Sequence, residues 1–447
     1  MRFLSLFRPA PYIDLIKDQE VVDKNYRYWR WRIFWSMFVG YAFFYFTRKS
    51  FTFAAPGLIA DLGYTTTEVG ILSTVLYLTY GFSKFVSGVM ADRANPRFFM
   101  SIGLIITGLT NIFFGLSSSL FAFAVFWGLN GWFQGFGWPP VARLLTHWYS
   151  HNERGSWWSS WNVSHNIGGA IIPILMGFCL QYFGWRSAMF VPGFLCIIIG
   201  FFLLWGLRDT PQSLGLPSIE EYRGDYVDMK KGEKERNLST KELLFDFVLK
   251  NKYLWLLAFA YFFVYVVRSA VNDWSNIFLV QTKGFQPMVA NGCVSLFEVG
   301  GFCGSLAAGW SSDKLFGARR GPINVIFSLG MLLSLFGLWI IPSGASLYAS
   351  ISMFVIGFCV FGPQMMIGIA AAELAHKKAA GTATGFVGWF AYLGAASAGG
   401  PLGWIIDGYG WDSYFYAMIA CSVFSVLLLL PTWGAVHMAH DLKTETA

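Results

Sequence analysis

A chain of 447 residues that is 55% hydrophobic and only 13% charged, with 45 Phe and 20 Trp, is not a soluble enzyme, since globular chains carry about 25% charged residues. Its net charge of +7 is distributed among short loops, which argues against nucleic-acid binding and for orientation in a bilayer. Six cysteines stand singly (Cys179, Cys196, Cys293, Cys303, Cys359, Cys421) with no CxxC pair, so neither a disulfide framework nor a zinc site is expected, and no cofactor is implied.

Residues 1–30 hold an apolar patch of only five residues, FLSLF. A secretory signal needs about 7–15, so this segment reads as a cytoplasmic tail. Twelve apolar stretches follow, at 31–56, 68–91, 98–117, 120–147, 158–182, 188–207, 253–280, 289–312, 322–341, 346–372, 381–406 and 413–434. Each has roughly the 20 residues that cross a ~30 Å hydrocarbon layer as a helix. With the N-terminus inside, the inner loops hold Arg93, Arg97, Arg154, Lys314, Arg319, Arg320, Lys377 and Lys378. The outer loops hold Arg186 and Lys283. That bias predicts both termini in the cytoplasm.

The charged stretch 208–252 divides the spans six and six, giving halves at 31–207 and 253–434 and a cytoplasmic tail at 435–447. It reads as a cytoplasmic linker with one surface helix, whose start is signalled by Ser239 and Glu242. The halves repeat one another. Tyr41, Tyr45 and Arg48 recur as Tyr261, Tyr265 and Arg268, Gly88 and Asp92 as Gly309 and Asp313, and Phe183-Gly184-Trp185 as Tyr409-Gly410-Trp411. Three ordered matches at nearly one offset indicate duplication. The expected fold is an all-α membrane protein of twelve helices in two pseudo-twofold halves, the major facilitator architecture, with its site at the midplane.

Tyr41, Tyr45 and Arg48 share one helix face, as do Tyr261, Tyr265, Arg268 and Asn272. The bland alternative places Arg48 at the end of a short span, snorkelling to the headgroups. Against it, the apolar run continues for about twelve residues past Arg48, roughly 18 Å at helical rise. Cations at the bilayer centre cost at least ~2.5–3.5 kcal/mol and mark a pathway or ligand. Two arginines match a dianion and present planar forks to phosphate, so a phosphate monoester is favoured over a monocarboxylate. Lys84, one turn from Tyr80, adds a third cation or else snorkels toward Asp92. His165 is either a phosphate donor or a packing residue, and its Gly168 and Gly169 neighbours suit close helix packing. Lys49 lies ~100° around the helix from Arg48, and its role stays open. Asp273 and Glu298 balance Arg268, contact sugar hydroxyls or couple a proton.

Asp92, Arg93 and Arg97, with Asp313 and Lys314 in the second half, lie at cytoplasmic helix ends where acid and base pair to close an inward gate. The segments FYFTRKSF, FSKFVSGVMADRANPRFFM, NGWFQGFGWPPVARLLTHWYS, ERGSWWSSWNVSHNIGGA, YVVRSAVNDWSN and RDTPQSLGLP resemble the organophosphate:phosphate antiporter family of the major facilitator superfamily. Within it they resemble the bacterial hexose-phosphate proteins of the UhpC and UhpT type, UhpC nearer. The resemblance implies a monomeric inner-membrane protein that exchanges a sugar phosphate, typically glucose 6-phosphate, for inorganic phosphate. It also implies that Arg48, Arg268, Tyr41, Tyr45, Lys84 and His165 bind substrate. Asn272, Asp273 and Gln134 are weaker candidates for the sugar. The eleventh span has no charge, unlike the UhpT type, which bears on selectivity. The same resemblance allows a receptor that signals to a membrane histidine kinase.

Overall fold

The computed structural model describes residues 8–91, 94–224, 245, 248–317, 319–374 and 380–434. Among them the chain is predominantly helical and contains no strand. In hydrocarbon every backbone amide must be satisfied within its own segment, which long apolar runs achieve only as helices.

In the first half the helices are α1 (Gln19–Leu62), α2 (Thr66–Ala91), α3 (Pro96–Leu116), α4 (Leu120–Gln134), α5 (Trp138–Trp148), α6 (His151–Phe183) and α7 (Ser187–Gly206). A short helix α8 (Ile219–Arg223) lies beyond α7. The second half has α9 (Lys252–Gln281), α10 (Pro287–Lys314), α11 (Arg320–Trp339), α12 (Ser346–Leu374), α13 (Ala380–Ser397), α14 (Gly400–Tyr409) and α15 (Trp411–Leu429).

Helix starts follow local chemistry. Asn95 accepts from the Arg97 amide ahead of Pro96, Ser119 accepts from Ala122, and Asn251 accepts from Tyr253. Each satisfies a donor that the first helical turn leaves open.

These helices cover the twelve expected spans. Eight are long and apolar enough to cross a membrane by length and composition alone. The others fall short for local reasons. Polar side chains, including Arg48, Lys49 and Lys84, lie along α1 and α2. The fourth span breaks between α4 and α5 at 135–137, and the eleventh between α13 and α14 at 398–399. The first helix begins at Gln19, a dozen residues before the expected span. The helix signalled by Ser239 and Glu242 lies outside the described residues.

Residue contacts divide the chain into two units. The first comprises Met1–Phe51, Thr79–Ile172 and Arg186–Lys234; the second comprises Thr52–Leu78, Pro173–Trp185 and Glu235–Ala447. The division passes inside α1, α2 and α6. It differs from the sequence halves because the Thr52–Leu78 turn hydrogen-bonds to α9 and α14, as described below. The second unit has a core of Leu254, Leu257, Val264, Ile367, Ala371 and Val387, all buried.

Candidate functional site

In the first unit Arg48 is 8% exposed. Its guanidinium carbon lies 4.4 Å from the Tyr45 ring centre and 4.6 Å from that of Tyr80 on α2. Tyrosine faces are negative, so the two rings hold the cation without neutralising it. The Arg48 Nε donates to Gln134 Oε1 at 3.1 Å. The Gln134 Nε2 donates in turn to Thr47 Oγ1 (3.1 Å) and Asn130 Oδ1 (3.0 Å). Asn130 Nδ2 donates to Asn111 Oδ1 at 2.9 Å, and Asn111 Nδ2 to Ser50 Oγ at 2.8 Å. A chain of neutral amides therefore ties α3 and α4 to the stretch of α1 that carries Arg48. The guanidinium turns into this network rather than along a lipid-facing surface, contrary to the snorkelling alternative.

Tyr41 meets Tyr45 edge-on, with ring centres 6.0 Å apart. The His165 ring on α6 is 5.7 Å from that of Tyr45, and its Nδ1 pairs with the Asn162 carbonyl. Helix α6 can come this close to α1 because Gly168 has no side chain; a Cβ there would sit 2.4 Å from the Ala42 carbonyl oxygen. Lys84 Nζ lies 5.6 Å from the Trp138 ring, and Lys49 is buried at 5% exposure. Among the described residues, the spans of this unit carry Arg32, Arg48, Lys49, Lys84 and Arg143 and no carboxylate.

The second unit repeats part of this arrangement. Arg268 is 9% exposed, with its guanidinium carbon 5.4 Å from the Tyr265 ring centre and 5.2 Å from that of Phe361. Tyr261 meets Tyr265 edge-on at 4.8 Å and donates to the Gln364 carbonyl at 2.7 Å. Each arginine thus rests on the tyrosine three residues before it. The second ring differs, being Tyr80 for Arg48 and Phe361 for Arg268.

Asp273, five residues beyond Arg268, accepts from Tyr77 Oη (2.6 Å), Asn272 Nδ2 (2.7 Å) and Thr52 Oγ1 (3.3 Å). Asn276 Nδ2 donates to the Thr52 carbonyl at 2.8 Å. Three neutral donors thus converge on one carboxylate. Glu298 on α10 is 1% exposed. Sequence reasoning missed Thr52 and Tyr77, whose partner is some 200 residues away and leaves no local signal. It also missed Asn111 and Asn130, which read as ordinary polar residues in apolar helices.

A further cluster closes the start of α2. Asp407 accepts from the backbone amides of Thr66 (3.1 Å) and Thr67 (2.6 Å) and from both threonine hydroxyls. Burial acts to raise the Asp407 pKa, but these four hydrogen bonds outweigh it and hold the group below the usual carboxylate range. Two turns along, Thr74 Oγ1 donates to the Ala396 carbonyl (2.7 Å) and accepts from the Gly400 amide (2.9 Å). Gly70 meets Gly399 so closely that a Cβ on Gly70 would lie 2.5 Å from the Gly399 oxygen.

Of the expected gate residues, Asp92 and Arg93 lie outside the described residues, as does the Asp313 side chain. Lys314 is exposed, and Arg97 Nε donates to the Leu204 carbonyl at 2.5 Å. Ion pairs form nearby on other residues: Arg143 with Asp209 at 3.1 Å, and Arg320 with Glu373 at 3.0 Å.

A family profile described as Major Facilitator Superfamily matches residues 37–399. The chain is 60% identical to a probable hexose phosphate transport protein of Chlamydia trachomatis, an alignment covering 96% of this chain and 97% of that protein. It is 52% identical to the membrane sensor protein UhpC of Escherichia coli, covering 97% and 98%. It is 42% identical to the glycerol-3-phosphate transporter of Bacillus subtilis, covering 98% and 100%. Among solved structures, a bacterial homologue of the human lysosomal transporter Spinster superposes with a TM-score of 0.73 at 16% identity, covering 91% of this chain and 98% of that one.

Proposed function

From the premise that the chain belongs to the Major Facilitator Superfamily, we propose that it exchanges a hexose phosphate, glucose 6-phosphate above all, for inorganic phosphate. The protein works as a monomer in a bacterial inner membrane, with both termini cytoplasmic. Arg48 and Arg268 bind the phosphate dianion, assisted by Tyr41, Tyr45, Tyr80, Lys84 and His165, and Lys49 adds to the positive potential around them. Asn272, Asp273 and Gln134 act on binding through the hydrogen bonds they make. Arg97 and Lys314 belong to the gate residues at the cytoplasmic helix ends.

The observation that carries this reading is the pair of buried arginines, each seated on aromatic faces. An aromatic seat orients a guanidinium, and its planar fork of N–H groups suits phosphate oxygens.

Exchange follows from electrostatics. An empty pair of buried cations requires water, and reorientation around them is unfavourable. A bound dianion lowers that barrier, so the protein alternates only when loaded. Reconstituted vesicles test this by counterflow of labelled phosphate against a panel of sugar phosphates. Uptake of sugar phosphate should need phosphate inside, and equal uptake into phosphate-free vesicles would overturn obligate exchange.

The similarity to a membrane sensor protein favours a second reading, in which the same site reports external glucose 6-phosphate to a membrane histidine kinase. Neighbouring genes for a two-component pair, together with absent counterflow, would select it. A proton-coupled sugar symporter using Asp273 or Glu298 is the third reading. It requires inhibition by a protonophore without phosphate dependence.

A further inference from the structure

Three arginines gather where α7 ends, the gate candidate Arg97 and two that the proposed function leaves unused, Arg32 and Arg208. Arg32 of α1 donates through Nη2 to the Trp205 carbonyl at 2.7 Å, and Arg208 donates through Nη1 to the same oxygen at 3.1 Å. Arg208 also donates to the Leu207 carbonyl at 2.7 Å, and Arg97 of α3 reaches the Leu204 carbonyl. The centre of the Trp29 ring is 4.7 Å from the guanidinium carbon of Arg32 and 4.7 Å from that of Arg208. Arg32 also lies 3.5 Å from the centre of the Trp205 ring, whose residue is 59% exposed.

The last carbonyls of a helix welcome cations, but a helix end carries only about −0.5 of a charge. Three guanidiniums therefore leave a local excess of more than two positive charges. Among the described residues none of the three is in an ion pair with a carboxylate. Arg97 stands in the first turn of α3, the positive end of that helix, where a cation is disfavoured and an anion is bound. Burial first, and then the charges of Arg97 and Arg32, hold the Arg208 pKa below its usual value. Such an arrangement is stable when an anion sits in it.

The chemistry beside the cluster says which anion. Lys24, Tyr28, Trp31 and Trp35 follow one face of α1 at i, i+4, i+7 and i+11. Tyr28, Trp31 and Trp35 are each about half exposed. Exposed Trp and Tyr beside cations mark the level where headgroups meet acyl chains. Glu20 and Asp23 line the same face, but they stand 12 and 9 residues before Arg32, roughly 18 and 13 Å along the helix. That is beyond a Debye length of about 8–10 Å.

We propose that Arg32, Arg97 and Arg208 form a site for the phosphate of an anionic phospholipid in the leaflet on the N-terminal side, its chains lying along Trp31, Trp35 and Trp205. The apolar walls distinguish this occupant from free phosphate, which has nothing to place there.

The test uses the full chain in neutral detergent, with native mass spectrometry of bound dioctanoyl lipids. Phosphatidylglycerol should bind at least about tenfold more tightly than phosphatidylcholine. The double variant Arg32→Gln with Arg208→Gln should lose that preference while binding phosphatidylcholine as before, and Arg32→Lys with Arg208→Lys should retain part of it. Equal retention of both lipids by the unaltered protein would overturn the site. So would a double Gln variant that keeps the preference, and displacement of phosphatidylglycerol by equimolar inorganic phosphate would assign the cluster to a free anion. If the double variant aggregates, the lipid competition on the unaltered protein and on Arg97→Gln decides.

Discussion

Gln134 accepts a hydrogen bond from Arg48 at 3.1 Å and is itself fixed by Thr47 and Asn130. A planar guanidinium held at Nε can rotate little, so its remaining N–H groups keep one direction. Replacing Gln134 by Leu removes that hold and leaves a buried charge-assisted donor without its acceptor, a loss of about 1.5–3 kcal/mol. Affinity for phosphate should fall by roughly 10- to 100-fold, with the protein still monodisperse. Gln134→Glu should be worse, since the carboxylate would claim the cation. Equilibrium binding of labelled phosphate measures both; unchanged affinity in Gln134→Leu would release Gln134 from this role.

Arg48→Lys and Arg268→Lys separate charge from shape. Lysine keeps the positive charge but loses the planar fork and the flat contact with the tyrosine faces. Each change should reduce phosphate counterflow by at least about tenfold, or ~1.4 kcal/mol of transition-state free energy. A wild-type rate in either variant removes that residue from the site.

Asp407→Asn tests the closure at the start of α2. Asparagine still accepts, but it loses the charge that favours a helix N-terminus, a contribution of about 0.3–1 kcal/mol. In a background lacking the six native cysteines, Thr74→Cys should react with a membrane-impermeant maleimide faster once Asp407 is changed. Identical labelling rates would show that the carboxylate does not hold this end shut.

The same contact has a predictable pH response. Its hydrogen bonds hold Asp407 below the ordinary carboxylate value of about 3.9. A depressed pKa gives stability that is fully present above the unfolded value and is lost as pH falls through the folded value. Labelling of Thr74→Cys, divided at each pH by that of a freely exposed cysteine to remove the thiolate's own pH dependence, should therefore stay flat from pH 8 to pH 5 and rise only in stronger acid. A rise between pH 5 and pH 7 would point to a different titrating group.

Asp273 offers a test of proton coupling. Its oxygens already accept from Tyr77, Thr52 and Asn272. If it serves to join α9 to α1 and α2, Asp273→Asn should keep the pH profile of exchange. That profile should follow the second ionisation of the substrate phosphate, near pH 6 for a phosphomonoester. A variant whose exchange became independent of pH would return Asp273 to the coupling role.

Most of the helical plan was legible because hydrophobic runs of membrane length have few alternatives. The interruptions at 135–137 and 398–399 were harder to see, although glycine and proline mark both. Apolar character continues across them, and hydropathy reports burial in lipid rather than helix continuity. The aromatic seats of Arg48 and Arg268 were foreshadowed by the Tyr-Arg repeat, since three residues is close to one turn. The support behind each seat was not. Gln134 is 86 residues from Arg48 and Tyr77 is 196 from Asp273, and one sequence without a fold cannot pair them.

The tail before α1 also has consequences for how the protein is made. The Ala10 amide donates to Asp209, Ile13 to the Gln212 carbonyl and Ile16 to that of Gly215. These partners are separated by about 200 residues, so residues 10–16 leave the ribosome well before the residues they dock on. At ~5–20 residues per second, that delay is about 10–40 s. During it, the tail is open to chaperones, proteases and the insertion machinery. Its docking therefore requires that synthesis has already passed the sixth span, whose end immediately precedes those partners.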